Sequence, residues 1–167
     1  CSNSRVPLDD QSVLDAGCGT GSYLRALQGR VGKLSGLDAS EAMLTRARAK
    51  LNGPCIELAR GDVCELPYET GSFDVVVSNF VLHHLDDAER DGGTFPRARR
   101  AVAEFGRVLK PDGLLLIQTS SHQQIRDSYW WSALIPDAVE LYVRRFPRVK
   151  QFEEFMREFG LGEAQTH

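Results

Sequence analysis

Apolar and polar positions along the chain fall into blocks with two different periods. Short apolar runs of strand length recur at residues 12–15, 33–38, 55–59, 73–78 and 114–119. Ser12 to Asp15 does not alternate, the pattern of a strand covered on both faces. Val75-Val76-Val77 is the clearest β signal. Stretches of helical spacing lie between these runs. A first helix starts near Ser22 with Tyr23, Leu24 and Leu27 on one face, and the glycines at 29 and 32 end it. A second runs from Glu41 to about Leu51, with Ser40 as N-cap and with Met43, Leu44, Ala47 and Leu51 on the core side. Asn52-Gly53-Pro54 stops it. A third covers about 97–109, with Ala101, Val102, Phe105, Val108 and Leu109 as apolar positions.

Strands alternating with helices predict an α/β fold: a parallel sheet with helices on both faces and right-handed crossovers. Leu66 to Ser72 reads as a surface turn, residues 86–96 as a loop, and Pro111-Asp112-Gly113 as the turn into the fifth strand. After Thr119 the pattern changes. Ser120 to Gln124 is polar, Tyr129, Trp130 and Trp131 form an aromatic patch, and Val139–Phe146 and Phe152–Phe159 read as helices separated by Pro147. A further strand is expected to start near Leu161-Gly162. The aromatic patch suits either a lid over a substrate or core between the C-terminal helices.

The 167 residues fit one domain, 1–167, with a core over 12–119 and a helical substrate-side or lid segment over 120–167. Apolar residues make up 42% and charged residues 26%, an ordinary globular balance, and the net charge of −3 gives no basic field for nucleic acid. No apolar run approaches the roughly 20 residues of a membrane span. The four cysteines, Cys1, Cys18, Cys55 and Cys64, include no C-x-x-C pair. They suit reduced thiols in a cytoplasmic protein rather than a zinc site, and no metal is expected.

The candidate chemistry centres on Val13-Leu14-Asp15-Ala16-Gly17-Cys18-Gly19-Thr20-Gly21, a strand that stops, turns on glycine and enters a helix. Such a turn lets a ligand approach the backbone closely. The P-loop pattern fails, since no lysine follows Gly21. The dinucleotide pattern Gly-x-Gly-x-x-Gly also fails, since Ser22 occupies the third glycine position. Asp15 is a second objection, because a carboxylate there repels a pyrophosphate. It suits a ligand end carrying an ammonium or sulfonium, and S-adenosylmethionine carries both. Asp38, seventeen residues past Gly21, ends the second strand and can accept the ribose hydroxyl protons. Asp62 ends the third and can accept from the adenine amino group.

These stretches, with Phe73 to Leu85 and Val108-Leu109-Lys110-Pro111-Asp112-Gly113-Leu114, resemble the class I S-adenosylmethionine-dependent methyltransferases of the small-molecule type. The resemblance spans residues 12 to about 119. It implies a Rossmann-like, doubly wound, mostly parallel sheet. It also implies that Gly17 and Gly19 face the methionine part, with Asp15, Cys18 and Gly21 in the same turn. Asp38 and Ala39 hold the ribose, and Asp62 and Val63 frame the adenine. Asn79 and Phe80 lie near the sulfonium, and Met43 sits in the core. The family's sheet has seven strands where five are clear here, so the last strands are expected to be missing from a truncated chain.

The implied activity is methyl transfer from S-adenosylmethionine to a small-molecule acceptor by in-line displacement. The rival is a non-catalytic cofactor-binding module with a regulatory or scaffold role. His83 and His84 are candidates for a catalytic base, and the same His-His-Leu run equally suits a structural helix start. Arg97, Arg99 and Arg100 are expected to form a solvated face.

Overall fold

The five apolar blocks come together in one parallel sheet. The structure is a computed structural model that describes residues 8–51, 56–86, 92–128 and 134–162. Its strands are β1 (Ser12–Ala16), β2 (Lys33–Asp38), β3 (Ile56–Arg60), β4 (Phe73–Asn79) and β5 (Leu109–Gln118). They lie in the order β3-β2-β1-β4-β5. The order reverses at β1, the first strand of the chain, and this opens a crevice at the carboxyl ends of β1 and β4. Helices α1 (Ser22–Leu27), α2 (Glu41–Lys50) and α3 (Pro96–Val108) connect the strands. Three more follow β5: α4 (His122–Ser128), α5 (Pro136–Val143) and α6 (Val149–Glu158).

Successive β1 side chains serve opposite faces. Val13 packs with Leu24 of α1 and Leu44 of α2. Leu14 packs on the other side in a core that includes Phe105 of α3 and Phe152 and Phe155 of α6. Every β1 residue is buried, so the strand carries no polar alternation. Gly36 allows the close fit of α1 on β2. A Cβ there would stand 2.6 Å from a Leu24 methyl and 3.0 Å from the Cys18 sulfur. Ile125, Val139, Val143 and Phe146 form a separate small core between α4 and α5.

Several expectations need correction. Met43 and Tyr23 are 39% and 40% exposed; the buried residues of their helices are Leu44 and Ala47 in α2 and Leu24 in α1. β5 begins at Leu109 rather than Leu114, because Leu109 pairs with Phe73 and the register then shifts before Leu114 pairs with Val75. Asp112 in the intervening segment has φ 63. The polar stretch after Thr119 contributes to α4, whose one deeply buried residue is Ile125. Leu161 and Gly162 are not in a strand. Tyr129, Trp130 and Trp131, with Cys1 and Cys55, lie outside the described residues.

The three arginines at the start of α3 are not merely solvated. Arg97 pairs with Asp62 at 2.7 Å, Arg99 with Glu158 of α6, and Arg100 donates to the Cys64 carbonyl. Asp86, read as part of a loop, caps α3 from outside. Its two oxygens accept the Arg97 and Ala98 N–H groups at 2.9 and 2.7 Å, orphan donors of the first turn. Glu104 is 7% exposed. It accepts the Leu66 N–H at 2.8 Å and pairs with Arg107, which also donates to the Leu66 and Tyr68 carbonyls. The connection after Asp62 is thereby pinned to α3.

Replacing Glu104 by alanine leaves the Leu66 N–H and a partly buried guanidinium without their acceptor. A loss of about 2 kcal/mol is expected, below the range for a fully buried pair because Arg107 is partly solvated. Arg99→Ala, on an exposed pair, leaves the urea midpoint near the wild-type value. Equal midpoints for the two variants would contradict this placement.

Candidate functional site

The glycine turn that follows β1 is seated on the end of β2. The Gly17 and Cys18 N–H groups both donate to the Leu37 carbonyl, at 2.7 and 3.0 Å. Asp38 completes the clamp. One carboxylate oxygen accepts the Gly19 N–H and the other the Ser40 N–H, each at 2.8 Å. Ser40 caps α2, its hydroxyl accepting the Met43 N–H, and Ala39 lies between these two. Gly17, Gly19 and Gly21 all have positive φ, at 88, 52 and 76, which L side chains adopt at a cost. At Gly17 space is short as well. A Cβ would stand 2.2 Å from a Val81 methyl.

Asp15 lies beneath this turn and is 2% exposed. Among the described residues it forms no ion pair. Burial, and then the neighbouring Asp38 carboxylate, push its carboxyl up to about 7. A positive group brought alongside favours the ionised form. The Cys18 thiol is pushed up to about 12 by burial and then by Asp15 and Asp38. It fills space beside Gly36 as a neutral group rather than acting as a nucleophile.

Asp62 follows β3. Burial acts to raise its carboxyl, but the Cys64 N–H and Arg97 outweigh that and hold it below its ordinary value. Its oxygens accept from Cys64 at 2.9 Å and from Arg97 at 2.7 Å. Val63 beside it is buried. At the end of β4, Asn79 pairs in register with Gln118 of β5. Its Oδ1 is buried without a donor. Phe80 has φ 54, its N–H donates to the Gln118 carbonyl, and its ring is 42% exposed. Strain of this kind gathers at functional sites. Asp15, Asp38, Asp62 and Asn79 therefore all sit at the carboxyl end of the sheet, around the point where the strand order reverses.

His83 and His84 separate clearly. They occupy a 3-10 turn at residues 82–84. His83 is 5% exposed and stacks on Phe146, with centroids 4.3 Å apart. Burial, and then His84 and Arg145, push its pKa down to about 4, so it is neutral near pH 7. His84 is exposed.

Two contacts of the site carried no sequence signal. Tyr23 of α1 donates to the Gln118 side chain at 2.8 Å across the crevice. Arg97 reaches Asp62 from the far side of the loop. Both pairings join residues distant in sequence, so no local period reveals them.

The comparisons with known proteins agree with this geometry. A family model described as a methyltransferase domain matches residues 14–117, and the chain belongs to that family. An uncharacterized methyltransferase of Mycobacterium bovis is 30% identical over 128 residues, covering 77% of this chain and 60% of the relative. The demethylmenaquinone methyltransferase of Lactococcus lactis is 35% identical over 139 residues, covering 80% of this chain and 48% of the relative. Among solved structures, S-adenosylmethionine-bound CalS10, an amino pentose methyltransferase from Micromonospora echinaspora, superposes with a TM-score of 0.60 at 30% identity, covering 72% of this chain and 48% of that one. The fold is that of the class I S-adenosylmethionine-dependent methyltransferases. The chain spans about three fifths of the length of the mycobacterial relative. Among the described residues no helix is long and apolar enough to cross a membrane.

Asp15 and His83 give opposite pH dependences. For Asp15 the folded value is raised above the ordinary 3.8, so its stabilising contribution is complete below about pH 4 and lost as pH rises through about 7. For His83 the folded value is depressed from 6.5, so its contribution is complete above 6.5 and lost as pH falls through about 4. Asp15→Asn removes the first term alone. Relative to wild type, it is expected to gain up to roughly 4 kcal/mol of stability between pH 4 and pH 8. Urea unfolding of both proteins at the two pH values checks this, and a constant difference would contradict the burial of an unpaired Asp15.

Proposed function

We propose that this chain binds S-adenosylmethionine at the carboxyl end of the sheet and transfers its methyl group to a small-molecule acceptor. The observation that carries the reading is Asp15, a buried carboxyl without a cationic partner, lying beneath a turn whose Gly17 leaves no room for a side chain. A ligand with a positive end satisfies it. The buried Asn79 Oδ1 lacks a donor and suits the same end of the ligand.

Asp38 is proposed to accept the ribose hydroxyls. Both of its oxygens already take one backbone N–H, and each oxygen keeps a further lone-pair site. Ala39 lies beside it at the start of α2. Asp62 and Val63 are proposed to frame the adenine, with Arg97 fixing the carboxylate's orientation. Gly17, Cys18, Gly19 and Gly21 present backbone to the methionine portion. Phe80 stands at the mouth.

When bound, the cofactor supplies a methyl group already activated by its positive sulfur. The chain's own task is to bring an acceptor atom in line, within about 3 to 3.5 Å, and to exclude water. A base is required only for an acceptor protonated at neutral pH. His83 is packed and neutral and His84 is exposed, so neither is given that role. The relatives named for demethylmenaquinone and for an amino pentose support an acceptor of small-molecule type.

Adenosylhomocysteine is expected to raise the melting temperature, with about 2.7 kcal/mol of added stability at a hundredfold excess over Kd. Asp38→Ala is expected to weaken its binding by tenfold or more, read by calorimetry so that any change in intrinsic stability stays separate. Unchanged affinity would remove Asp38 from the ribose site. Formation of adenosylhomocysteine in the presence of an acceptor panel separates turnover from mere cofactor binding.

A further inference from the structure

A second feature lies at the same end of the sheet, beyond the glycine turn. A cavity of about 550 Å³ opens between the loop before α3, the start of α4 and the link from α5 to α6. That volume is within the usual range for small-molecule sites, about 300 to 1,000 Å³. Phe95 and Phe146 line it, together with Arg144, Arg148, His122 and Gln151. Both phenylalanines belong to buried cores, at 4% and 1% exposure, so their positions are fixed by packing. The guanidinium groups are on exposed residues. No carboxylate lines the cavity among the described residues.

The local charge runs against that of the whole chain. The net charge is −3, yet Arg144-Arg145-Phe146-Pro147-Arg148 places three cations in five residues. The neighbouring acid Glu140 accepts two hydrogen bonds from Arg126. Arg148 forms no ion pair among the described residues. Gln151 is committed internally. It accepts the Arg148 N–H and donates to the Gly93 carbonyl, which holds the wall of the cavity. His122 is tied to the Phe146 carbonyl at 2.7 Å.

A ladder of rings joins this cavity to the end of β4. Phe146 lines the cavity and stacks on His83 with an interplanar angle of 11°. His83 in turn meets Phe80 edge-on, with centroids 6.4 Å apart. We infer that the cavity is the acceptor's subsite and that it takes an acidic group on an aromatic or similarly flat apolar body, the body along the exposed side-chain stems of Arg144 and Arg148 and the anion at the Arg148 guanidinium. This assignment rests on the methyl-transfer reading for its role, though not for its anion chemistry. A guanidinium recognises a carboxylate, sulfonate or phosphate through paired N–H donors.

The test uses the whole chain with 2-naphthoate as the probe and 2-naphthamide as its uncharged match, titrated by calorimetry with and without saturating adenosylhomocysteine. Naphthoate is expected to bind at least tenfold more tightly than the amide, with the preference shrinking as salt is raised. Arg148→Ala, an exposed position, is expected to erase most of that preference, and Arg144→Ala to reduce it. Lys150→Ala, at an exposed cation in the second position of α6 and outside the cavity lining, leaves it intact. Equal binding of acid and amide, or a preference indifferent to Arg148, overturns the inference. Adenosylhomocysteine has its own isotherm in the same experiment. If it binds while naphthoate shows no preference, only the acidic subsite falls. If it fails to bind while the Arg148-dependent preference holds, the anion site stands and the methyl-transfer role falls.

Discussion

The end of β2 holds the glycine turn in place, and the rest of the site depends on that contact. One peptide carbonyl, that of Leu37, receives two N–H groups of the turn, and the Asp38 carboxylate receives a third. The other Asp38 oxygen holds the Ser40 N–H and so anchors the start of α2. A single strand end thus fixes two loops at once. Gly17 can occupy its place only because it lacks a side chain, with Val81 standing where a Cβ would be. Asp15, two residues before Gly17 in β1, is 2% exposed. Burial of that carboxyl is unfavourable in isolation, and the sheet's hydrophobic packing on both faces holds it there. Among the described residues no cation faces that carboxyl in an ion pair, and a positive group brought alongside would favour its ionised form.

The segment after β5 is held by different forces. Beyond β5 the chain folds onto the sheet through rings and ion pairs. α6 joins the core of α3 through Phe152 and Phe155, while α4 and α5 form their own apolar cluster. Phe146 connects that cluster to His83 and so to the end of β4. Packing of this kind sets the cavity's walls independently of the glycine turn and Asp38.

Much of the fold was legible because it follows local rules. The strands β1, β2 and β4 and the start of α2 coincide with apolar runs, a Ser N-cap and glycine stops. Asp15 and the three glycines were legible as a strand end and a turn, and the structure shows that carboxylate buried and all three glycines at positive φ. What was not legible depended on tertiary contact. Met43 and Tyr23 fit an apolar face by spacing, yet that face is wider than the surface the sheet covers, and both end up exposed instead. β5 starts five residues early because Leu109 pairs with Phe73, a partner 36 positions away whose identity no period reveals. The partners of Arg97, Arg99 and Arg100, and the Asp86 cap on α3, are likewise choices of hydrogen-bond partner that only the folded chain sets.

Burial pushes the Asp15 carboxyl up to about 7, and a bound cation beside it would pull that value back down. Calorimetric titration of S-adenosylmethionine at pH 6.5, in buffers of different ionisation enthalpy, counts the protons exchanged on binding. The expected result is a net release of roughly half a proton or more, absent from Asp15→Asn. Binding with no proton exchange, or with the same exchange in Asp15→Asn, would contradict it.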